Sequence, residues 1–204
     1  MNVYIIAEIG PNHNGSMETA TEMVKQLANS EIDAVKFQLA VPENVYSKDA
    51  FKADYQEKHD GAGSPIEMSR RIQLSFEQHE ILYKTCLDAG IGYLCTAFDI
   101  ESLKQLDDKF QMPYFKIASG EINSRDMLEF ISQRDRKILL STGMADFDEI
   151  ENALGLLDPN KNRDITILHC VSNYPAGYDE INLNVIPNLQ KLFGRPVGFS
   201  DHSL

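Results

Sequence analysis

Seven short apolar runs punctuate this chain, and each ends in a polar side chain of the kind that does chemistry. Ile5-Ile6-Ala7 ends at Glu8, and the run from Ile32 to Phe37 carries Lys36 and is followed by Gln38. Tyr93-Leu94-Cys95 ends at Thr96, and Tyr114 to Ala118 contains Lys116 and ends at Ser119. Ile138-Leu139-Leu140 ends at Ser141 and Thr142, Ile165 to Leu168 at His169, and Pro196 to Phe199 at Ser200, Asp201 and His202. Helix-like stretches fill most of the gaps. Strands separated by helices run parallel, so their C-terminal ends meet on one face. In a β/α barrel that face holds the active site. One pocket is therefore expected to collect two lysines, a glutamate, several hydroxyls and at least one histidine.

The spacing is regular beyond the second strand. The third to seventh strands are expected to begin near 92, 113, 137, 165 and 196, at intervals close to the ~30 residues of a βα unit or a little less. The expected fold is α/β, a TIM-type (β/α)8 barrel that stops after its seventh strand, with an open doubly wound sheet as the alternative. The first βα loop, Gly10-Pro11-Asn12-His13-Asn14-Gly15, lacks GxGxxG, and polar ends on every strand favour the barrel. No linker or low-complexity stretch interrupts residues 1–204, which read as one domain. Ser16 is placed to cap a helix carrying Met17, Ala20, Met23, Val24 and Leu27 on one face. A second helix opens at a Ser75–Gln78 capping box and closes at Gly90. Between them, residues 41–75 far exceed the usual ~2–6 residue βα loop and are expected to form a functional loop or small insertion.

The net charge of −12 argues against a general nucleic-acid or membrane-surface binder, which would show a basic face. No apolar run approaches the ~18 residues of a membrane span, and the start leads straight into a strand, leaving no room for a signal peptide. Cys86, Cys95 and Cys170 are an odd number with no CxxC spacing; Cys95 and Cys170, inside apolar runs, read as buried thiols, and a reducing, cytoplasmic compartment is expected.

Against that acidic background, lysines inside strands stand out, because an unpaired ammonium among apolar neighbours is costly. Lys36 and Lys116, joined to Thr96, Ser119, Ser141 and Ser200, suit a phosphorylated and carboxylated metabolite through charge-assisted hydrogen bonds. The competing reading pairs each lysine with a barrel glutamate for structure alone. Glu8 and Glu121 are candidates for proton transfer or hydroxyl binding, with Glu8 equally suited to be a lysine counter-ion. His169 and His202, at neighbouring strand ends, could hold a divalent metal, although their spacing carries no ligand signature. His13 is expected to stabilise its own turn, and His59 and His79 are expected at the surface.

Together these segments resemble the sialic acid synthase family, the synthases of N-acetylneuraminate and related nonulosonic acids. The matching motifs are Ala7-Glu-Ile-Gly-Pro-Asn-His-Asn-Gly15, Val35-Lys-Phe-Gln38, Phe115-Lys-Ile-Ala-Ser-Gly-Glu121, Leu140-Ser-Thr-Gly-Met144, Leu168-His-Cys-Val-Ser-Asn-Tyr-Pro175 and Gly198-Phe-Ser-Asp-His202. The resemblance implies a barrel that condenses phosphoenolpyruvate with an open-chain amino sugar, N-acetylmannosamine or a relative, in a homodimer. It implies a divalent metal, Mn2+ or Mg2+, that polarises the sugar aldehyde. Carbon 3 of phosphoenolpyruvate attacks that aldehyde, water adds at carbon 2, and phosphate departs by C–O cleavage. Carried over by motif, Lys36, Thr96, Lys116, Ser119, Ser141, Ser172 and Ser200 would hold phosphoenolpyruvate, Ser172 standing where some members have asparagine. Glu8, Gln38, Glu121 and Tyr174 would face the sugar or the reacting centre, with Glu121 as proton-transfer group and Glu8 as a second catalytic candidate. His202 matches a metal ligand; His169 matches a family position that is not one.

Family members run on past the position of Leu204, through an eighth strand with a second metal-binding histidine and often a small antifreeze-like domain. The 204 residues alone are therefore expected to bind phosphoenolpyruvate without turning it over. Two rivals remain at this level: another barrel aldolase or phosphoenolpyruvate-using aldol synthase, and a fragment that keeps only ligand binding.

Overall fold

A computed structural model describes residues 3–53, 56–57 and 61–203. Among these residues seven strands are found where the apolar runs lie, every pairing between them is parallel, and at least one helix separates each strand from the next. The chain divides into two compact units, residues 1–113 and 114–204.

The first unit holds β1 (Ile6–Glu8), β2 (Ala34–Leu39) and β3 (Gly92–Ala97) in that order in one sheet. Strand β2 is central and almost wholly buried, as expected of a parallel strand covered on both faces. Helix α1 (Met17–Leu27) starts where Ser16 accepts a hydrogen bond from the Thr19 N–H, and it buries Ala20 and Val24. Residues 41–75 are more structured than a loop. They contain α2 (Pro42–Val45) and α3 (Pro65–Ile72), which pack together. Each starts with a proline in its first turn, where the missing N–H costs nothing. The segment is pinned to the strand ends: Ala40 N–H donates to Gln73 at 3.0 Å and Val41 N–H to Asp99 at 2.7 Å. Asp99 also caps α5 (Ile100–Lys109) through Ser102. Between them, α4 (Phe76–Asp88) opens with the anticipated capping box.

His79 corrects the sequence reading. It is fully buried on α4 rather than at the surface. Its Nδ1 lies 2.8 Å from the Tyr93 hydroxyl, Phe37 meets its ring edge-on, and its Nε2 makes no hydrogen bond among the described residues. Burial, then the neighbouring His13, push its pKa down to about 4, with the Gln38 backbone working the other way. His59 lies outside the described residues. Burial likewise pushes the thiols of Cys86 and Cys95 up to about 12, so both are inert, and Cys170 is buried as well.

The second unit is a four-stranded sheet in the order β4 (Tyr114–Ile117), β5 (Lys137–Ser141), β6 (Ile165–Cys170), β7 (Val197–Ser200). Helices α6 (Arg125–Ser132), α7 (Phe147–Leu157) and α8 (Val185–Phe193) connect them. A buried ionic knot fastens this unit. The Asp158 carboxylate pairs with Arg195 and accepts the N–H groups of Asn162 and Arg163. Burial works to raise the Asp158 pKa, but the Arg195 hydrogen bond, those two N–H groups and the Arg195 charge hold it below the usual value. Among the described residues no helix is long and apolar enough to cross a membrane.

Candidate active site

In the first unit the polar strand ends meet as the register dictates. Glu8 lies opposite Lys36 and Gln38 opposite Thr96. Lys36, nearly buried, forms an ion pair with Glu8 and donates to the Thr96 hydroxyl at 3.2 Å. The counter-ion role for Glu8 is thus realised in this structure, and its half-exposed carboxylate remains open to solvent. The chain then turns at Gly10, whose φ is +43°. A Cβ there would stand 2.9 Å from Glu8 Oε1 and 3.3 Å from Gln38 Nε2, so glycine lets backbone, carboxylate and amide converge. His13 does what the sequence suggested: buried, it accepts the Gly15 N–H on Nδ1 at 3.1 Å.

In the second unit the C-terminal edge of one parallel sheet gathers the predicted hydroxyls. Lys116 Nζ donates to Ser141 Oγ at 2.6 Å and to the Ile117 carbonyl at 3.0 Å. Ser141 is buried, and Lys116 is half-buried beside it. Ser119 and Ser172 face each other with hydroxyls 3.3 Å apart. An ammonium and three hydroxyls from the ends of β4, β5 and β6 form a donor-rich cluster of the kind that binds oxyanions. Glu121 closes a 3-10 turn (Ser119–Glu121) directly after β4, and its carboxylate accepts the Ser124 hydroxyl at 2.5 Å.

The histidines at the ends of β6 and β7 separate by their partners. His169 Nε2 lies 2.7 Å from the Ile181 carbonyl, which can only accept, so this nitrogen carries the proton and is not a ligand atom. By the same reasoning His202 donates Nδ1–H to the Val171 carbonyl at 2.9 Å. That leaves the Nε2 lone pair presented, 3.3 Å from Ser200 Oγ, with Tyr174 packed against the ring at 4.4 Å. Asp201 does not orient the imidazole; its carboxylate accepts the Ser203 N–H instead. With Nδ1 engaged, Nε2 is the atom of His202 that could hold a metal ion. Among the described residues no group of three or more histidine, cysteine, aspartate or glutamate side chains is placed to hold a metal ion.

Sequence reasoning missed Asp99, the anchor of the 41–75 segment. Asp99 followed a strand and preceded Ser102 at capping distance, which was the available signal.

The NeuB family model matches residues 23–204. An N,N'-diacetyllegionaminic acid synthase of Campylobacter jejuni is 40% identical over 98% of this chain and 60% of its own length. A second synthase of that name, from Legionella pneumophila, is 36% identical over 100% of this chain and 58% of its own. The chain therefore spans roughly three fifths of these curated relatives. A crystal structure of an N-acetylneuraminic acid synthetase from Leptospira borgpetersenii superposes with a TM-score of 0.87 at 28% identity, covering 100% of this chain and 66% of that one. The fold class is accordingly the TIM-barrel type that the strand pattern led one to expect.

Proposed function

This chain belongs to the NeuB family, and from that premise we propose that the full-length protein condenses phosphoenolpyruvate with an N-acetylated amino sugar. The products are a nonulosonic acid and phosphate. N-acetylmannosamine and diacetamido sugars are the substrate class, the latter suggested by the two legionaminic acid synthases among its relatives.

The observation that carries this reading is the Lys116–Ser141 hydrogen bond beside the Ser119–Ser172 hydroxyl pair. An ammonium and three hydroxyls at the ends of adjacent parallel strands can offer charge-assisted hydrogen bonds to the phosphate and carboxylate of phosphoenolpyruvate. We assign Ser200 to the same ligand, and in the first unit Lys36 and Thr96. Gln38, Glu8 and Tyr174 are assigned to the sugar. In the reaction, the carbon 3–carbon 2 double bond supplies the electron pair for the new bond to the aldehyde carbon. A water oxygen then adds at carbon 2, and the bond from carbon 2 to the phosphate oxygen breaks with its electrons on the departing phosphate. Glu121, already hydrogen-bonded to Ser124, is the group assigned to proton transfer. His202 Nε2 would contribute one ligand to Mn2+ or Mg2+, which when bound supplies a Lewis acid for the aldehyde.

Calorimetry tests the anion site. Lys116→Met should weaken phosphoenolpyruvate binding by roughly ten- to a hundredfold, whereas Lys25→Met on the exposed side of α1 should leave it unchanged. Equal, negligible effects would remove the reading.

A further inference from the structure

We propose that Gly143 is a positioning residue: its missing side chain creates the gap that sets the Ser172 hydroxyl beside Ser119. The proposal rests on the reading above, in which Ser172 binds phosphoenolpyruvate.

Gly143 follows Ser141-Thr142 at the end of β5. Its φ lies outside the left-handed region, so its backbone would accept any L residue. What excludes a side chain is space. A Cβ on Gly143 would overlap Ser172 Oγ outright, and it would stand 3.0 Å from Cys170 Sγ and 3.4 Å from the Cys170 carbonyl. The Cys170 atoms cannot step aside cheaply, so the Ser172 hydroxyl is the neighbour that would have to move. Cys170 is buried. On the β5 side, Thr142 binds the Leu168 carbonyl through both its N–H and its hydroxyl, at 3.2 and 3.1 Å. On the β7 side, His202 Nδ1–H holds the Val171 carbonyl. The end of β6 is thus gripped from both flanks, and the Ser172 side chain is left the hollow over Gly143. A methyl group there would force the hydroxyl away from Ser119, and one donor of the anion cluster would be lost without any donor being mutated.

This predicts strong coupling between positions 143 and 172. In the full-length protein, Gly143→Ala, Ser172→Ala and the double variant are compared with wild type by phosphoenolpyruvate calorimetry and by KM and kcat. Gly143→Ala should weaken phosphoenolpyruvate binding by about tenfold while Ser172 is present, and by about twofold or less once the hydroxyl is gone. The KM for the sugar should stay unchanged in all three variants. The same multiplicative loss in both backgrounds would overturn the proposal and leave the proposed function standing. An unaltered affinity in Ser172→Ala would also overturn it, since no ligand-binding hydroxyl would then exist to be positioned. Wild-type protein that fails to bind phosphoenolpyruvate would instead overturn the proposed function itself. Should Gly143→Ala fold poorly, Ser172→Gly added to it opens the same hollow and should restore the melting temperature; no restoration would refute the steric account.

Discussion

Acid should destabilise this protein through His79, at a pH where most carboxylates are still charged. The imidazole is sealed between α4, Phe37 and Tyr93, and one ring nitrogen makes no hydrogen bond among the described residues. A proton added there would create a buried cation whose desolvation the Gln38 backbone offsets only in part. The folded pKa is about 4 against an ordinary value of 6.5. Between those values the unfolded chain binds the proton and the folded chain does not, so stability rises with pH across the window and falls as pH drops from 6.5 toward 4. A displacement of that size corresponds to about 3 kcal/mol at most, a large share of the ~5–15 kcal/mol that stabilises a typical domain. Burial also lowers the pKa of His13, which adds loss of the same sign. The assay is urea unfolding at intervals from pH 7 to pH 4.5, for wild type and for His79→Gln, which keeps a polar partner for Tyr93. The variant should lose less stability than wild type on acidification, with the two curves converging toward low pH. Curves that stay parallel through pH 4.5 would show that His79 does not titrate differently in the two states.

Two further outcomes follow from single groups. Glu121→Gln in the full-length protein should retain phosphoenolpyruvate affinity and lower kcat by about 10²–10⁴-fold, since an amide cannot transfer the proton; near-normal turnover would assign Glu121 to the turn it makes with Ser124. Arg195→Ala should strand the buried Asp158 carboxylate and cost about 3 kcal/mol in urea unfolding at pH 7, and a loss below ~1 kcal/mol would show that the knot is replaceable by water.

The strands were legible because a parallel sheet covered on both faces demands continuous apolar runs, and because the functional side chains mark where each run stops. Helix starts were legible at Ser16 and Ser75, where capping chemistry is local. Residues 41–75 read as a loop or small insertion because the segment far exceeds a βα loop and is broken by Pro42, Gly61, Gly63 and Pro65, yet Ser64-Pro65 is a helix start within it. His79 was misread through its chemistry. Its spacing to Leu82 and Cys86, three and seven residues on, places it on the buried face of α4. The cluster around Lys116 could be anticipated as a set of residue types at strand ends. The Ser119–Ser172 pair and the gap over Gly143 could not, because they depend on how closely β5 and β6 approach, and close approach leaves no mark in a single sequence beyond a glycine.

The most direct measurement is a coupled assay on the purified full-length protein with Mn2+, phosphoenolpyruvate and either N-acetylmannosamine or a 2,4-diacetamido sugar. Phosphate and the 2-keto acid product are followed together. The account predicts that phosphate appears only when both substrates are present, one equivalent for each keto acid formed, and that Lys116→Met suppresses both signals. Keto acid formed from pyruvate without phosphate would make the protein an aldolase, and phosphoenolpyruvate binding with no turnover on any amino sugar would make it a binding protein; either result contradicts the account.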